Sequence, residues 1–546
     1  MNFSNLHRPS FVQQLSGQSF DLLVIGGGIT GCGIALDAAL RGLKVALVEK
    51  NDFASGTSSR STKLIHGGLR YLKQLELKLV HDVGSERAVV HRNARHVVIP
   101  EKMLLPIIQH GSLGKNSSSL GLLVYDLLAG VKKSERRKML NKHETLKAEP
   151  LLHGDNLIGG GLYFEYRTDD SRLTIEIAKS AFEKGALLLN YAESTGFVYD
   201  EQKKITGAKI HDHLTGKDFE IKATTIVNAC GPWVDLLRKE DNSLKGKRLQ
   251  LTKGVHLVFP YEKVPLKQAA YFDVGDGRMI FAIPRNKITY VGTTDTVYNQ
   301  DIDKPQCSDE DATYILNATN KIFPTLHLKA EDIVSSWAGL RPLIYEEGKS
   351  ASELSRKDEI MISPSGLISI AGGKLTGYRL MAEKIVDLAG KIQNRNLKPC
   401  VTKNFRLSGG EFSDSADFEK SLELLMQAGR EKNIADEKIT EWFYRYGKNT
   451  AAILKQVDTL RHKISDTEKL YEAAELMYGI ENEMVVRSND FLIRRTGKIF
   501  FSRLQSEKQI DYINNFIAVQ FQEDEAAAQR MLQETKEQFR AAVDFQ

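Results

Sequence analysis

At 546 residues the chain is too long for one ordinary core, and two or three domains are expected. Hydrophobic residues at 42% and charged residues at 27% give the balance of a soluble globular protein. The 75 basic against 70 acidic residues leave a formal charge of +5, too thin over this length to argue for nucleic acid.

Residues 1–20 read as an N-terminal extension and lack the apolar stretch of a secretory signal. Asp21-Leu22-Leu23-Val24-Ile25 is then an apolar run of strand length. It ends in Gly26-Gly27-Gly28-Ile29-Thr30-Gly31; a helical stretch follows to Arg41, and Val45-Ala46-Leu47-Val48 is a second strand closed by Glu49. This is a βαβ unit with GxGxxG at its first strand–helix junction and an acid ending its second strand. Gly26 permits the tight turn, Gly28 lets the backbone approach a pyrophosphate, and Gly31 allows close helix–strand packing. Ile29 and Thr30 open the helix, whose free N–H groups bind phosphates, and Glu49 accepts from a ribose hydroxyl. Ala35, Ala38 and Gly42 continue the pattern towards Glu49, so the whole unit is specified. The fingerprint does not separate NAD from FAD, but the acid argues against the 2′-phosphate of NADP.

From Ser55 to Tyr71, hydroxyls, glycines and basic residues interleave, as a loop wrapping a phosphorylated cofactor requires. Apolar residues 121–130 precede a basic stretch, 131–147, with seven Lys/Arg against two Glu. That pairing suits anionic lipid; a buried helix before a solvated charged turn has the same composition. Residues 220–231 return as a buried strand and Leu367 to Ala371 as another. The nucleotide part is therefore expected in pieces of about 21–105, 150–235 and 335–400, and the substrate part at about 106–149 and 236–334. Alternating segments from Leu249 to Tyr298 predict an antiparallel sheet. Residues 401–546 turn to Glu, Lys, Leu and Ala at helical spacing and end in a polar helix, Glu523 to Val543. They are expected to form a separate helical domain without chemistry of its own. The fold class is thus α/β with an α+β substrate part. A Rossmann-like domain is interleaved with an antiparallel-sheet domain, and an all-helical domain follows. Cys32, Cys230, Cys307 and Cys400 lie far apart, with no zinc or disulfide pattern, which points to a reducing compartment. No uncharged apolar run approaches the ~18 residues of a membrane span. A cytoplasmic protein able to lie on the cytoplasmic face of a membrane is expected.

The string Thr57-Ser58-Ser59, then Ser61-Thr62-Lys63-Leu64-Ile65-His66-Gly67-Gly68-Leu69-Arg70-Tyr71, closely resembles the quinone-linked FAD-dependent glycerol-3-phosphate dehydrogenases. Further ordered matches are Asn228 to Trp233, Lys253 to His256, Gly339 to Leu343, Ser355 to Asp358, Gly372 to Arg379, Tyr444 to Gly447 and Asp490 to Thr496. Related glycerol-phosphate oxidases share these motifs, but many carry an internal insertion that is not seen here, which favours the dehydrogenase. The resemblance implies FAD as cofactor and sn-glycerol 3-phosphate as substrate. It implies hydride transfer to flavin N5, release of dihydroxyacetone phosphate, and delivery of electrons to a membrane quinone in glycerol catabolism. It implies cofactor contacts from Thr57, Ser58, Ser59, Ser61, Lys63, Leu64 and His66 in the loop. Others would come from Ala229, Gly231 and Trp233, and from Gly372, Gly373, Lys374, Leu375 and Thr376. Two readings stay open beside it, an oxidase that uses O₂ and a flavin-binding protein without turnover. The oligomeric state, monomer or homodimer, and the identity of the quinone are also left open.

A phosphorylated substrate needs cations, which Arg offers as a planar fork and Lys as a point charge. By resemblance, Arg70, Arg341 and Lys374 line the substrate pocket with Tyr71 and Arg356 beside them, although the Lys357-Asp358 that follows Arg356 looks like ordinary surface. His256, on a strand of the expected substrate sheet, is the candidate base or hydroxyl ligand. His66 is its rival, but its place in the wrapping loop suggests flavin contact instead. At Gly372-Gly373-Lys374 a strand ends and a helical period begins. That aims a helix N-terminus and the Lys374 cation at the flavin, whose reduced form carries negative charge. His256, Arg341 and Lys374 are the expected catalytic set, with no metal.

Overall fold

The protein is described here from a computed structural model covering residues 2–66, 77–109, 136–345 and 358–545. The apolar run of the first strand, Ser19–Ile25, is flanked on both sides by parallel neighbours, Lys217–Asn228 and Val45–Val48. Leu187–Leu189 and Ile368–Gly372 extend the parallel sheet outwards, and Asp358–Ile362 closes one edge antiparallel. A strand buried on both faces has no polar side to alternate with, which is why Leu22, Leu23 and Val24 run consecutively. Helix Ile29–Leu40 packs on this sheet between helices Asp170–Glu183 and Tyr378–Ile392. At Gly33 a side chain would meet the Tyr378 ring at 2.8 Å, so the small residues of this helix set how closely it is covered.

Among the described residues the second sheet has ten strands. Leu249–Pro260, Ile288–Gly292, Met279–Arg285 and Ala269–Asp273 form its antiparallel centre, in agreement with the alternation seen between Leu249 and Tyr298. Val98–Ile108, Leu157–Thr168 and Ser335–Ile344 also belong to it. These three lie largely within the pieces expected in the nucleotide part.

Helices from Ser415–Arg430 to Glu525–Ala541 form the C-terminal domain, with a core that includes Trp442, Tyr446, Ile453 and Val457. Its later part packs on the second sheet, joining Phe491, Phe500, Ile513 and Ile517 to Tyr290 and Trp337. Buried ion pairs tie it to the nucleotide domain: Arg494 and Arg495 reach Asp52 at 2.6 and 2.7 Å, and Glu483 meets Arg172 at 2.5 Å. The N-terminal segment is tied in as well. Phe3 and Phe11 are buried, Asn5 donates to the Met484 carbonyl, and Arg8 pairs with Asp212.

Candidate active site

A cavity of about 760 Å³ runs from the ends of the parallel strands to the face of the second sheet. One end is made of backbone. Gly26 has φ +114°, and a Cβ there would lie 2.7 Å from the Ala229 carbonyl oxygen; at Gly31 a Cβ would lie 1.9 Å from the oxygen of Gly26. Only glycine fits either place. Gly28 precedes the helix without a capping side chain, and Ser58 of the wrapping loop accepts from the Ile29 N–H at 3.0 Å. Glu49 accepts from the N–H groups of Gly27 (2.6 Å) and Asn51 (2.9 Å); burial pushes its carboxyl above the usual range. Gly26, Gly28, Ile29, Thr30 and Glu49 line this end, as do Ala229, Gly231 and Trp233. The Trp233 ring lies over Gly56, where a Cβ would meet it at 2.9 Å. A turn without side chains, a helix N-terminus and a carboxylate at the second strand end together fit the pyrophosphate and ribose of a dinucleotide.

The wrapping loop contributes Thr57, Ser58, Ser61, Thr62, Leu64 and His66 to the wall. Three residues expected at the cofactor are not on it. Gly31 faces the turn as a packing residue. Ser59 is buried and donates to the Gly56 carbonyl at 3.3 Å. The Lys63 ammonium is buried against Asp170 at 2.5 Å and donates to the Ser59 carbonyl, so this cation fastens the loop to helix Asp170–Glu183. Gly372, Gly373, Lys374, Leu375 and Thr376 line the cavity. The α-helix begins at Tyr378, after a 3₁₀ turn over Leu375–Gly377, three residues later than its sequence period suggests.

The other end is made of side chains. Strands Leu249–Pro260 and Ser335–Ile344 pair so that His256 opposes Trp337, Gly254 opposes Gly339, and Thr252 opposes Arg341. His256 is 1% exposed, stacks on Trp337 (4.8 Å, 13°), and its Nε2 lies 3.0 Å from the Thr62 hydroxyl. Its Nδ1 has no hydrogen-bond partner among the described residues. Burial, then the Arg341 and Lys63 cations, hold its pKa well below the ordinary value, so the imidazole is neutral at pH 7. Arg341 donates to the Thr294 carbonyl (3.2 Å), Asp295 (3.1 Å) and the Thr293 hydroxyl (3.0 Å). His256, Arg341 and Lys374 thus share one cavity with the glycine turn. Arg70, Tyr71 and Arg356 lie outside the described residues, as does most of the 121–147 stretch. Thr62, Thr293 and Asp295 were not foreseen. The run of Thr293, Thr294 and Asp295 after an apolar strand, so similar in make-up to the wrapping loop, was the available signal.

Residues 21–379 match the model of the FAD dependent oxidoreductase family, and residues 400–528 that of the C-terminal domain of alpha-glycerophosphate oxidase. An aerobic glycerol-3-phosphate dehydrogenase of Bacillus subtilis (strain 168) is 51% identical, over 96% of this chain and 95% of its own. One from Staphylococcus haemolyticus (strain JCSC1435) is also 51% identical, over 92% and 91%. The chain belongs to the family of FAD-dependent aerobic glycerol-3-phosphate dehydrogenases. The glycerol-3-phosphate dehydrogenase of Bacillus halodurans, solved with FAD, superposes with a TM-score of 0.87 at 44% identity, covering 100% of this chain and 99% of that one. The cofactor is FAD, and the glycine cradle, Glu49 and cavity size of this family member suit it. An alpha-glycerophosphate oxidase of Mycoplasma pneumoniae (19% identity, TM-score 0.54) shares the fold over 71% of this chain.

Proposed function

We propose that the chain oxidises sn-glycerol 3-phosphate to dihydroxyacetone phosphate and passes the electrons to a membrane quinone. The observation that carries this reading is a neutral histidine and two cations, Arg341 and Lys374, in the cavity that holds the dinucleotide cradle. When bound, FAD supplies the acceptor for a hydride from the substrate's secondary carbon. The chain's own residues bind, orient and move the proton. Arg341 and Lys374, with Arg70, Tyr71 and Arg356, take the phosphate end. His256 takes the hydroxyl proton at its ring nitrogen. Burial is the largest cause of its depressed basicity; the smaller contribution of the Arg341 charge is offset once a phosphate dianion sits beside that cation. The relatives' names support the substrate. The quinone, and seating on the cytoplasmic face of a membrane through residues 121–147, rest on the resemblance and on composition. Among the described residues no helix is long and apolar enough to cross a membrane.

The test is anaerobic. The yellow holoprotein should bleach with sn-glycerol 3-phosphate and not with glycerol, and recover its colour with a short-chain quinone. Bleaching by neither compound would end the reading. Hydrogen peroxide formed at the rate of substrate consumption in air would replace the quinone by O₂.

A further inference from the structure

The Arg341 guanidinium lines the cavity close against Gly254. A Cβ at Gly254 would stand 2.2 Å from its Nη2 and 2.6 Å from its Cζ, so the fork rests where that glycine leaves the backbone bare. It donates to three successive residues, at the Thr293 hydroxyl, the Thr294 carbonyl and the Asp295 carboxylate. That turn is itself fastened. The Thr294 hydroxyl accepts from the Val255 N–H (3.1 Å) and donates to the Lys253 carbonyl (3.3 Å), and Thr296–Val297 pairs with Thr252 and Lys253. Within the ion pair the Arg341 side chain is 18% exposed and that of Asp295 8%, and both residues line the cavity.

We propose that Asp295 is a positioning residue that fixes the plane of the Arg341 fork for the phosphate of the substrate, without binding the phosphate itself. This deepens the glycerol 3-phosphate reading and rests on it. A carboxylate beside an anion-binding arginine acts in one of two opposite ways. As a counter-charge it weakens the hold on an anion; as a clamp it strengthens the hold, because a long side chain no longer loses its rotational freedom when the anion arrives. The close approach at Gly254 and the bonds to Thr293, Thr294 and Asp295 favour the clamp.

The experiment uses the FAD holoenzyme and two ligands, sn-glycerol 3-phosphate in turnover and inorganic phosphate in calorimetric titration. Asp295→Asn keeps the volume and removes the charge. It should raise KM roughly 10-fold, weaken phosphate binding by a similar factor, and change kcat less than about 3-fold. Gly254→Ala keeps every charge and displaces the fork, and should give the same signature. In an Arg341→Lys background, which has no fork to hold, Asp295→Asn should add nothing. Unchanged or tighter phosphate binding in Asp295→Asn, or an undiminished effect in the Arg341→Lys background, would overturn the proposal. Should Asp295→Asn fail to hold FAD, normal phosphate affinity in Gly254→Ala would overturn it as well. Phosphate binding is read without turnover, so wild type that binds phosphate but is not reduced by glycerol 3-phosphate counts against the reaction and leaves the clamp standing.

Discussion

The two ends of the cavity recognise their ligands by opposite means. At the nucleotide end the determinants are atoms that are missing, the side chains absent at Gly26, Gly28, Gly31 and Gly56, with Glu49 at the end of the second strand. At the substrate end they are charged and titratable side chains, each held by something else: His256 by Trp337 and Thr62, Arg341 by residues 293–295. A change at the first end acts by steric exclusion and should remove the cofactor. A change at the second should leave FAD bound and alter affinity or rate.

The largest effect is expected from Gly31→Val, which puts branched carbon where even a Cβ lies 1.9 Å from the Gly26 oxygen. The protein should purify without its flavin absorbance and without activity; a yellow, active variant would break the comparison at its nucleotide end. His256→Asn should keep FAD and lower the rate of flavin reduction in stopped flow by about 10²-fold or more, the usual range for a lost general base. An unchanged rate would pass the proton to another group. Arg341→Ala should raise KM roughly 10- to 150-fold, corresponding to the ~1.5–3 kcal/mol of a charge-assisted contact, again with FAD retained. Loss of FAD in that variant would mean that Arg341 serves the nucleotide end.

The same contrast explains what could be read from the sequence. The glycine end was legible because its determinants are local: Gly26 to Gly31 and Glu49 fall within one βαβ unit, at spacings that physics dictates. The substrate end was legible only in its residue types. Lys63 was expected at the cofactor, yet Asp170, 107 residues further along, claims its charge. Arg494 and Arg495 matched a family motif with no role attached, and their partner Asp52 lies more than 440 residues away. Gly339 to Leu343 was legible as a motif, but nothing in it revealed that Ser335–Ile344 is a strand running beside Leu249–Pro260, which is what brings Arg341 to the Thr293–Asp295 turn. Pairings of this range depend on which faces meet after folding, and one chain read alone carries no record of them.

A comparison of two histidines sharpens the argument with a smaller effect. His96 and His256 are both fully buried and both held neutral, but only His256 lines the cavity. His96 packs against Phe412 and beside Gly410 and Gly447 of the helical domain, and neither ring nitrogen has a hydrogen-bond partner among the described residues. Burial, followed by the Arg172 and Lys179 cations, pushes its pKa down to about 3. A histidine depressed in the folded state is protonated first in the unfolded chain. Its contribution is therefore lost as pH falls from about 6.5 towards about 3. At pH 5 the loss is about 2 kcal/mol. His96→Leu sacrifices no described hydrogen bond and cannot be protonated, so it should leave kcat and KM unchanged. It should also reduce by about 2 kcal/mol the stability that wild type loses between pH 7 and pH 5, as read from urea unfolding. An equal loss in both proteins would show that His96 already carries its proton when folded. A drop in kcat would extend the functional site beyond the cavity into the domain junction, and the division between a histidine that works and one that only packs would have to be redrawn.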